Sequence, residues 1–171
     1  MRRSPELMAT LLERAAAVVR AHPDAQNVTF VARYGDPTDT AAVVAGKQIE
    51  RAIYNLLLNA CQSMRVAGTA AEVVATLEAR EGQIVLNVMD NGAGVPEGIR
   101  KTLFDPFVSE GKQKGTGLGL TLAHRIAEEH GGGVILLSSR PGQTIFQMKV
   151  AQELKTLPKP VAIEHDKVVT E

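Results

Sequence analysis

Two neighbouring runs of alternating apolar and polar residues constrain the fold of this chain most strongly. AEVVATLEAR occupies residues 71–80 and QIVLNVMD occupies residues 83–90, and both follow the two-residue period of a β-strand. Only Glu81 and Gly82 separate them, and so short a connection joins antiparallel neighbours in a hairpin. Because such a hairpin breaks a strict βαβ alternation, we expect a sheet that contains antiparallel pairs.

Helical patterns are interspersed with these strand patterns. Between Lys47 and about Val66, apolar residues recur at steps of three and four, which predicts a long helix. The mixture predicts an α+β fold, a two-layer α/β sandwich in which helices cover one face of a mixed, mostly antiparallel sheet. We expect one domain over residues 1–150 and a tail or linker over residues 151–171. The other expected elements are a helix over 5–21 that Ser4 caps and Pro5 begins, strands over 27–33, 41–45, 133–139 and 144–150, a short helix over 97–104, a helix over 118–130, and loops over 34–40 and 105–116.

Composition limits the classes of function. The chain has 171 residues, of which 44% are apolar, so it can bury a core. Acidic and basic residues number 19 each and tryptophan is absent, which argues against nucleic acid as a partner. The lone cysteine, Cys61, permits no disulfide within the chain, and no apolar run approaches the roughly 18 residues of a membrane span. We therefore expect a cytoplasmic domain without membrane contact.

The expected long helix carries two asparagines, Asn55 and Asn59, four residues apart among leucines and alanine. Asparagine is a poor helix former, because its side chain competes for backbone hydrogen bonds. A buried amide without a partner costs roughly 1–3 kcal/mol, and an amide oxygen is a hard ligand that suits Mg²⁺. On their own, however, such amides more often mark a solvated helix face or local hydrogen bonds.

Two glycine-rich segments follow the helix. In MDNGAGVP, residues 89–96, a strand delivers Asp90 to a turn that contains Gly92 and Gly94. A carboxylate there can accept a hydrogen bond from an exocyclic amine, and glycines let a flat ring approach the backbone. In GKQKGTGLGL, residues 111–120, glycines lead into a helix whose first N–H groups can hold phosphate, although the spacing is neither a Walker A nor a Rossmann pattern. Taken singly, the first segment also fits an ordinary Asn-Gly turn and the second a flexible hinge.

The order of these motifs is specific. The asparagine-bearing helix, Asp-x-Gly-x-Gly, FDPF at residues 104–107 and GTGLGL at residues 115–120 resemble the N, G1, F and G2 boxes of the ATP-binding domain of sensor histidine kinases. That family belongs to the group of DNA gyrase, Hsp90 and MutL, which share the Bergerat fold. HGG at residues 130–132, followed by SSRPGQTIF, is similar to the closing strands of the nitrogen-regulation type. The resemblance covers residues 5 to 150.

The resemblance implies ligands and residue roles. ATP and Mg²⁺ are the implied ligands, with Asn59 coordinating the metal and Asn55 supporting the metal or the phosphates. Asp90 is implied to accept a hydrogen bond from the adenine amino group, with Thr144 joining it through water. Residues from about 108 to 116 resemble the ATP lid. The full set of implied ATP-binding residues is Asn55, Asn59, Gln62, Asp90, Gly92, Gly94, Val95, Phe107, Lys112, Lys114, Gly115, Thr116, Gly117, Leu118, Gly119, Leu120 and Thr144.

Asn55 also distinguishes branches of the group. The gyrase and MutL branch is similar in this helix but has a glutamate at that position, as a base that activates water. An amide cannot take a proton at neutral pH, so the resemblance implies slow hydrolysis and transfer of the γ-phosphate to another nucleophile. The chain departs from the family pattern at Gln62, where many relatives have a charged residue, and in its third glycine box, which is reduced to Gly142-Gln143-Thr144.

The implied acceptor is a histidine on a separate or preceding dimerisation domain, which would pass the phosphate to a response regulator. None of the four histidines of the chain lies in the setting of such an acceptor. Because the dimerisation domain would carry the dimer interface, we expect this chain to be a monomer, and its parent kinase could be membrane-anchored. Two other functions stay open from the sequence: a regulatory module that binds nucleotide without transfer, and a stand-alone serine kinase of the anti-sigma type.

Overall fold

The computed structural model describes residues 2–64, 70–107 and 117–153. Short 3-10 helices cover Pro23–Ala25, Pro37–Thr40 and Glu97–Thr102. The strands and α-helices, in chain order, are β1 (Ser4–Leu7), α1 (Met8–Arg20), β2 (Val28–Tyr34), β3 (Ala41–Val44), α2 (Gly46–Ser63), β4 (Ala71–Arg80), β5 (Gln83–Asp90), α3 (Gly119–Glu129), β6 (Gly133–Arg140) and β7 (Gln143–Ala151).

Within the described ranges, five strands form one sheet in the order β2-β4-β5-β7-β6. The β2–β4 pair is parallel, and β4–β5, β5–β7 and β6–β7 are antiparallel. Glu81 and Gly82 join β4 to β5 with φ angles of 53° and 74°, the left-handed values that a two-residue hairpin turn needs. The mixed, mostly antiparallel sheet is as the sequence predicts.

The core lies between this sheet and the helices. Alternate residues of the central strands, such as Leu86 of β5 and Met148 of β7, are fully buried and pack with the helices, as the period of a strand requires. Leu12 of α1 and Ile53 and Leu56 of α2 are also at most 1% exposed. The apolar stripe of each helix therefore covers the same face of the sheet, and the predicted two-layer α/β sandwich is confirmed.

The N-terminal helix was predicted to begin too early. Ser4–Leu7 forms β1, which pairs antiparallel with β3, and α1 begins only at Met8. Ser4 does not cap the helix, and its hydroxyl donates to Glu6 Oε1 instead. The physical reason is tertiary pairing: the backbone groups of this segment bond to β3, and Pro5 is tolerated because a short edge strand does not need every N–H donor.

Other boundaries differ less. Helix α2 spans Gly46–Ser63, so it begins one residue before the predicted start. The predicted short helix over 97–104 is a 3-10 helix that ends at Thr102. Of the loop predicted over 105–116, residues 108–116 lie outside the described residues. The division of the chain after residue 150 stays a prediction.

Candidate functional site

Polar residues form a row across the end of the otherwise apolar inner face of the sheet. Asp90, the last residue of β5, pairs with Thr144 of β7, and Thr144 pairs with Ser139 of β6. Asp90 is 1% exposed and Thr144 is 2% exposed. In the part of the chain that the structure describes, Thr144 Oγ1 is buried without a hydrogen-bond partner. Since buried polar groups are normally paired, this row is equipped to meet polar atoms of a ligand.

The Asp90 carboxylate is buried and held by its neighbours. Burial raises its pKa, while the Gly92 N–H, which donates to Oδ1 at 2.9 Å, and the Ser63 hydroxyl lower the pKa by stabilising the charge. A carboxylate can accept about four hydrogen bonds, so these two donors leave part of its accepting capacity unused. Asp90 can therefore accept a further donor, such as an exocyclic amine.

The loop after Asp90 requires glycine at two positions. A Cβ atom on Gly92 would lie 2.9 Å from both Asp90 Oδ1 and Ser63 Oγ, so any larger residue would displace the carboxylate. Gly94 has a φ of 86°, and a Cβ atom there would lie 3.2 Å from the carbonyl of Arg140. Glycine thus lets the backbone of this loop pack directly on the carboxylate and on the β6–β7 turn.

The two amides of α2 lie one helical turn apart, and the first meets the start of α3. A Cβ atom on Gly119 would lie 3.7 Å from Asn55 Oδ1, so α3 begins against this side chain. Asn55 Nδ2 is buried and, among the described residues, has no hydrogen-bond partner. Asn59 is partly buried. A buried, unpaired amide donor on a residue that packs against a helix N-terminus fits an anionic oxygen.

The described N-terminus of α3 has features of an anion-binding site. Gly117 has a φ of 66°, and Leu118, at the N-cap, supplies no side-chain hydrogen bond to the first turn as the structure describes it. The first turn, as described, contains no acidic residue. Its N–H groups and the positive end of the helix can therefore bind phosphate oxygens. Lys112, Lys114, Gly115 and Thr116, predicted from the sequence to take part, lie outside the described residues.

Other sequence-predicted site residues lie in different surroundings. The Gln62 amide donates to Asp24 Oδ2 at 3.1 Å, so this side chain is engaged with the 3-10 helix after α1. Phe107 is 76% exposed and has a φ of 65°. Leu120 is partly buried against the core. The structure thus brings Asn55 to Gly119, and Asp90 to Gly92 and Thr144, while the ligand roles of all these residues stay predictions.

Three residues that hold the glycine loop were not identified from the sequence. Ser63 ends α2 beside Asp90 and Gly92. Ser139 Oγ accepts the Val95 N–H at 2.7 Å, and Arg100 Nε donates to the Val95 carbonyl at 2.9 Å. The signal for Ser139 was available, because a two-residue turn between β6 and β7 places it opposite Thr144. Ser63 and Arg100 carry no such local signal.

His124 and His130 contact other parts of the fold through their rings. His130 is 2% exposed; its Nε2 accepts the Ala45 N–H at 3.1 Å, and its Nδ1 donates to the Ile126 carbonyl at 2.7 Å. The His124 ring stacks on Phe104 with 4.8 Å between centroids. His130 therefore joins the C-terminal end of α3 to the start of α2, and both of its ring nitrogens are used.

In the described residues, no group of three or more His, Cys, Asp or Glu side chains could hold a metal ion. The amide oxygen of Asn59 is a hard ligand of the kind that Mg²⁺ accepts, and a bound nucleotide would bring further oxygens. None of the helices described is both long and apolar enough to cross a membrane.

Known proteins are similar to this chain in sequence and in fold. Residues 45–154 match the family described as histidine kinase-, DNA gyrase B-, and HSP90-like ATPase. The sensory histidine kinase/phosphatase NtrB of Azospirillum brasilense is 31% identical over 155 residues, which cover 82% of this chain and 37% of NtrB. NtrB of Proteus hauseri is 34% identical over 131 residues, 72% of this chain and 37% of that protein. The chain thus spans little more than a third of these curated relatives.

Solved structures agree on the fold. The nucleotide-free catalytic domain of the histidine kinase ThkA superposes with a TM-score of 0.75 at 21% identity, covering 89% of this chain and 97% of that domain. ThkA in complex with the response regulator protein TrrA matches with a TM-score of 0.69 at 20% identity, covering 88% of this chain and 42% of that one. The chain therefore belongs to the family of histidine kinase-, DNA gyrase B- and HSP90-like ATPases, and its domain is an ATPase domain of the histidine kinase type, similar to that of NtrB.

Proposed function

We propose that this chain is the catalytic part of a two-component sensor histidine kinase, which binds ATP with Mg²⁺ and presents the γ-phosphate to a histidine on a separate or preceding dimerisation domain. The observation that carries the proposal is a pair of buried, unpartnered polar atoms among the described residues: Thr144 Oγ1 beside Asp90, and Nδ2 of Asn55, the residue whose amide oxygen faces Gly119. Each unpaired atom lowers the stability of the free protein, and a polar ligand that bonds to it would remove this free-energy cost.

The adenine end of the site is built on Asp90. Its buried carboxylate would accept a hydrogen bond from the adenine amine, and the Thr144 hydroxyl beside it would take a water or a ring nitrogen. Gly92 and Gly94 let the loop backbone lie directly against Asp90 and the β6–β7 turn, and Val95 would contact the ring. The adjacency of Asp90 and Thr144 in the sheet supports this assignment.

The phosphate end of the site is built on α2 and α3. The N–H groups of Thr116 to Leu120, with Gly115, Gly117 and Gly119, would bind phosphate oxygens, and Lys112 and Lys114 would add positive charge. Asn59 would coordinate Mg²⁺, and Asn55 would donate to a phosphate oxygen or to a metal-bound water. Bound Mg²⁺ would neutralise charge on the phosphates.

The same residues favour transfer over hydrolysis. Asn55 occupies the turn before Asn59, and an amide there cannot remove a proton from water. Positioning and electrostatics supply most of the catalysis of phosphoryl transfer, so the nucleophile itself can come from another domain. We therefore propose that ATP is held intact until an acceptor histidine is supplied.

Two partners are proposed, because this chain would supply ATP and another domain the nucleophile. A histidine-bearing dimerisation domain would dock near the lid, and a response regulator would then take the phosphate from that histidine. ThkA, which shares the fold, has been solved with a response regulator protein. We propose a cytoplasmic location for this chain, since ATP and response regulators are found there, and a monomeric state in isolation.

Calorimetry tests the binding step. The chain is titrated with ATP, with and without Mg²⁺, beside Asn59→Ala and the control Asn87→Ala, whose amide bonds to Gln147 on the other face of the sheet. We expect magnesium-dependent binding in the wild type and the control, and its loss in Asn59→Ala. An absence of binding at millimolar ATP would contradict the proposal.

A second experiment tests transfer. The chain is incubated with γ-labelled ATP and the isolated histidine-bearing domain of an NtrB-type kinase, with a histidine-to-alanine form of that domain as control. We expect label on the histidine domain only when its histidine is present, and slow release of phosphate without it. Rapid production of ADP by the chain alone would refute the inference drawn from Asn55.

A further inference from the structure

The loop between β5 and the next 3-10 helix is tied to the sheet at several points. Asn91 Oδ1 accepts the Glu72 N–H at 3.0 Å, and Asn91 Nδ2 donates to the Ala70 carbonyl at 2.8 Å, which pins the first residue of the loop. The Gly142 N–H donates to the Gly92 carbonyl at 2.8 Å. These bonds leave the far end of the loop, near Val95, to be fixed by other groups.

Ser139 fixes that end. Its Oγ accepts the Val95 N–H at 2.7 Å, across 44 residues of sequence. Arg100 completes the connection, because its Nε donates to the Val95 carbonyl at 2.9 Å and its Nη2 to the Ser139 carbonyl at 3.4 Å. A Cβ atom on Gly94 would lie 3.2 Å from Ser139 Oγ, so the loop backbone passes directly over this hydroxyl. Ser139 is thus a second point, beside the bond from the Gly142 N–H to the Gly92 carbonyl, where the loop is bonded to the β6–β7 hairpin.

The position of Ser139 in the sheet connects this bond to the proposed base site. Ser139 pairs with Thr144, and Thr144 pairs with Asp90, so the three side chains stand in one row on one face. The loop therefore has its two ends fixed to one row of residues: Asp90 begins it, and Ser139 holds Val95. This row therefore sets the distance between the Asp90 carboxylate and the loop backbone. A bound base would have to fit into that space.

We propose that Ser139 is a positioning residue for nucleobase selection: by holding Val95 it keeps the loop at the spacing from Asp90 and Thr144 that accepts adenine and rejects guanine. This inference rests on the proposed function. Guanine carries a carbonyl oxygen where adenine carries its amine, so a fixed carboxylate repels guanine as long as the base cannot shift. Without the Ser139 hydroxyl the Val95 N–H loses its acceptor, the loop can move, and both bases can find other positions.

The experiment measures dissociation constants for Mg²⁺-ATP and Mg²⁺-GTP on the full chain. Two variants change the hydroxyl: Ser139→Ala removes it and Ser139→Thr keeps it. The control is Ser138→Ala, because the side chain of Ser138 points to the other face of the sheet. We expect Ser139→Ala to weaken ATP binding roughly three- to tenfold, the value of one hydrogen bond, and GTP binding less, so that the preference for ATP falls. Ser139→Thr should restore the preference, and Ser138→Ala should leave it unchanged.

Two further readouts separate positioning from a general loss of structure. Hydrogen exchange of the Val95 amide should speed up in Ser139→Ala while the amides of the central strands stay protected. Arg100→Ala, at an exposed side chain that should not prevent folding, should lower the preference for ATP in the same direction. An unchanged ATP-to-GTP ratio in both Ser139→Ala and Arg100→Ala would overturn the inference while leaving the proposed function standing. A wild-type chain that binds neither nucleotide would instead refute the proposed function and this inference with it.

Discussion

The substitution Thr144→Val separates two effects of one hydroxyl group: its destabilisation of the free protein and its contribution to ATP affinity. Thr144 is 2% exposed, and its Oγ1 is buried without a partner among the residues described. Valine has nearly the same shape and replaces the hydroxyl with a methyl group. The substitution therefore removes an unpaired polar group from the free protein without opening a cavity.

The size of the effect follows from that single group. An unsatisfied buried hydroxyl costs about 1–3 kcal/mol, so the free variant should be more stable than the wild type by about 1–2 kcal/mol. For a chain of 171 residues this corresponds to a rise of roughly 2–6 °C in melting temperature. In the nucleotide complex the hydroxyl would be paired, and its loss should weaken ATP binding about three- to tenfold.

Thermal unfolding, with and without saturating Mg²⁺-ATP, measures both terms. The control is Thr76→Val on the outer face of the sheet, where Asn87 Nδ2 donates to Thr76 Oγ1 at 3.4 Å. We expect the control to gain no stability and to bind ATP normally. A lower melting temperature of free Thr144→Val, or unchanged ATP affinity, would refute the argument that this hydroxyl is kept for a ligand.

Three other substitutions or treatments test the same structure. Burial raises the pKa of Asp90 in the folded protein, so its negative charge lowers stability at pH values above that pKa. In urea titrations Asp90→Asn should therefore be more stable than the wild type at neutral pH, and this advantage should disappear as the pH falls through the raised pKa. Calorimetry should show that the variant no longer binds ATP. Gly132→Ala should cost at least about 2 kcal/mol of unfolding free energy, because its Cβ atom would lie 1.8 Å from the Lys149 carbonyl oxygen, whereas Gly98→Ala, with nothing within 4 Å, should be neutral. Cys61, 1% exposed and with its pKa raised to about 12 mainly by burial, should react with a thiol reagent only after unfolding, and fast labelling of the native chain would contradict its packing.

Local chemistry explains why the hairpin of β4 and β5 could be predicted. Glu81-Gly82 is a two-residue turn between alternating runs, and its left-handed φ angles are those such a turn needs. The register that follows from a two-residue turn also places Thr144 opposite Ser139. Where a turn and the flanking pattern agree, the neighbours across the strands follow from the sequence alone.

Contacts between distant segments explain what could not be predicted. The segment Ser4–Leu7 has the sequence of a helix start, but it pairs with β3 nearly 40 residues later in the chain. Ser63 meets Gly92, and Arg100 donates to the carbonyl of Ser139, 39 residues away. A serine at the end of a helix or an arginine on the surface has many ordinary roles, so only the fold selects these residues.

The unpaired buried groups are arranged unevenly, and the arrangement itself argues for a ligand. Of the described side chains, Gln48, Asn55, Thr121 and Thr144 have a buried polar atom without a partner. Asn55 and Thr144 lie in the candidate site, and Thr121 lies in the first turn of α3, where phosphate is proposed to bind. Gln48 lies in the first turn of α2, outside the proposed nucleotide site. If the other three are kept for nucleotide, ATP should raise the melting temperature of the wild type more than that of Thr144→Val, because part of the ligand's contribution is the pairing of a group that the variant no longer has.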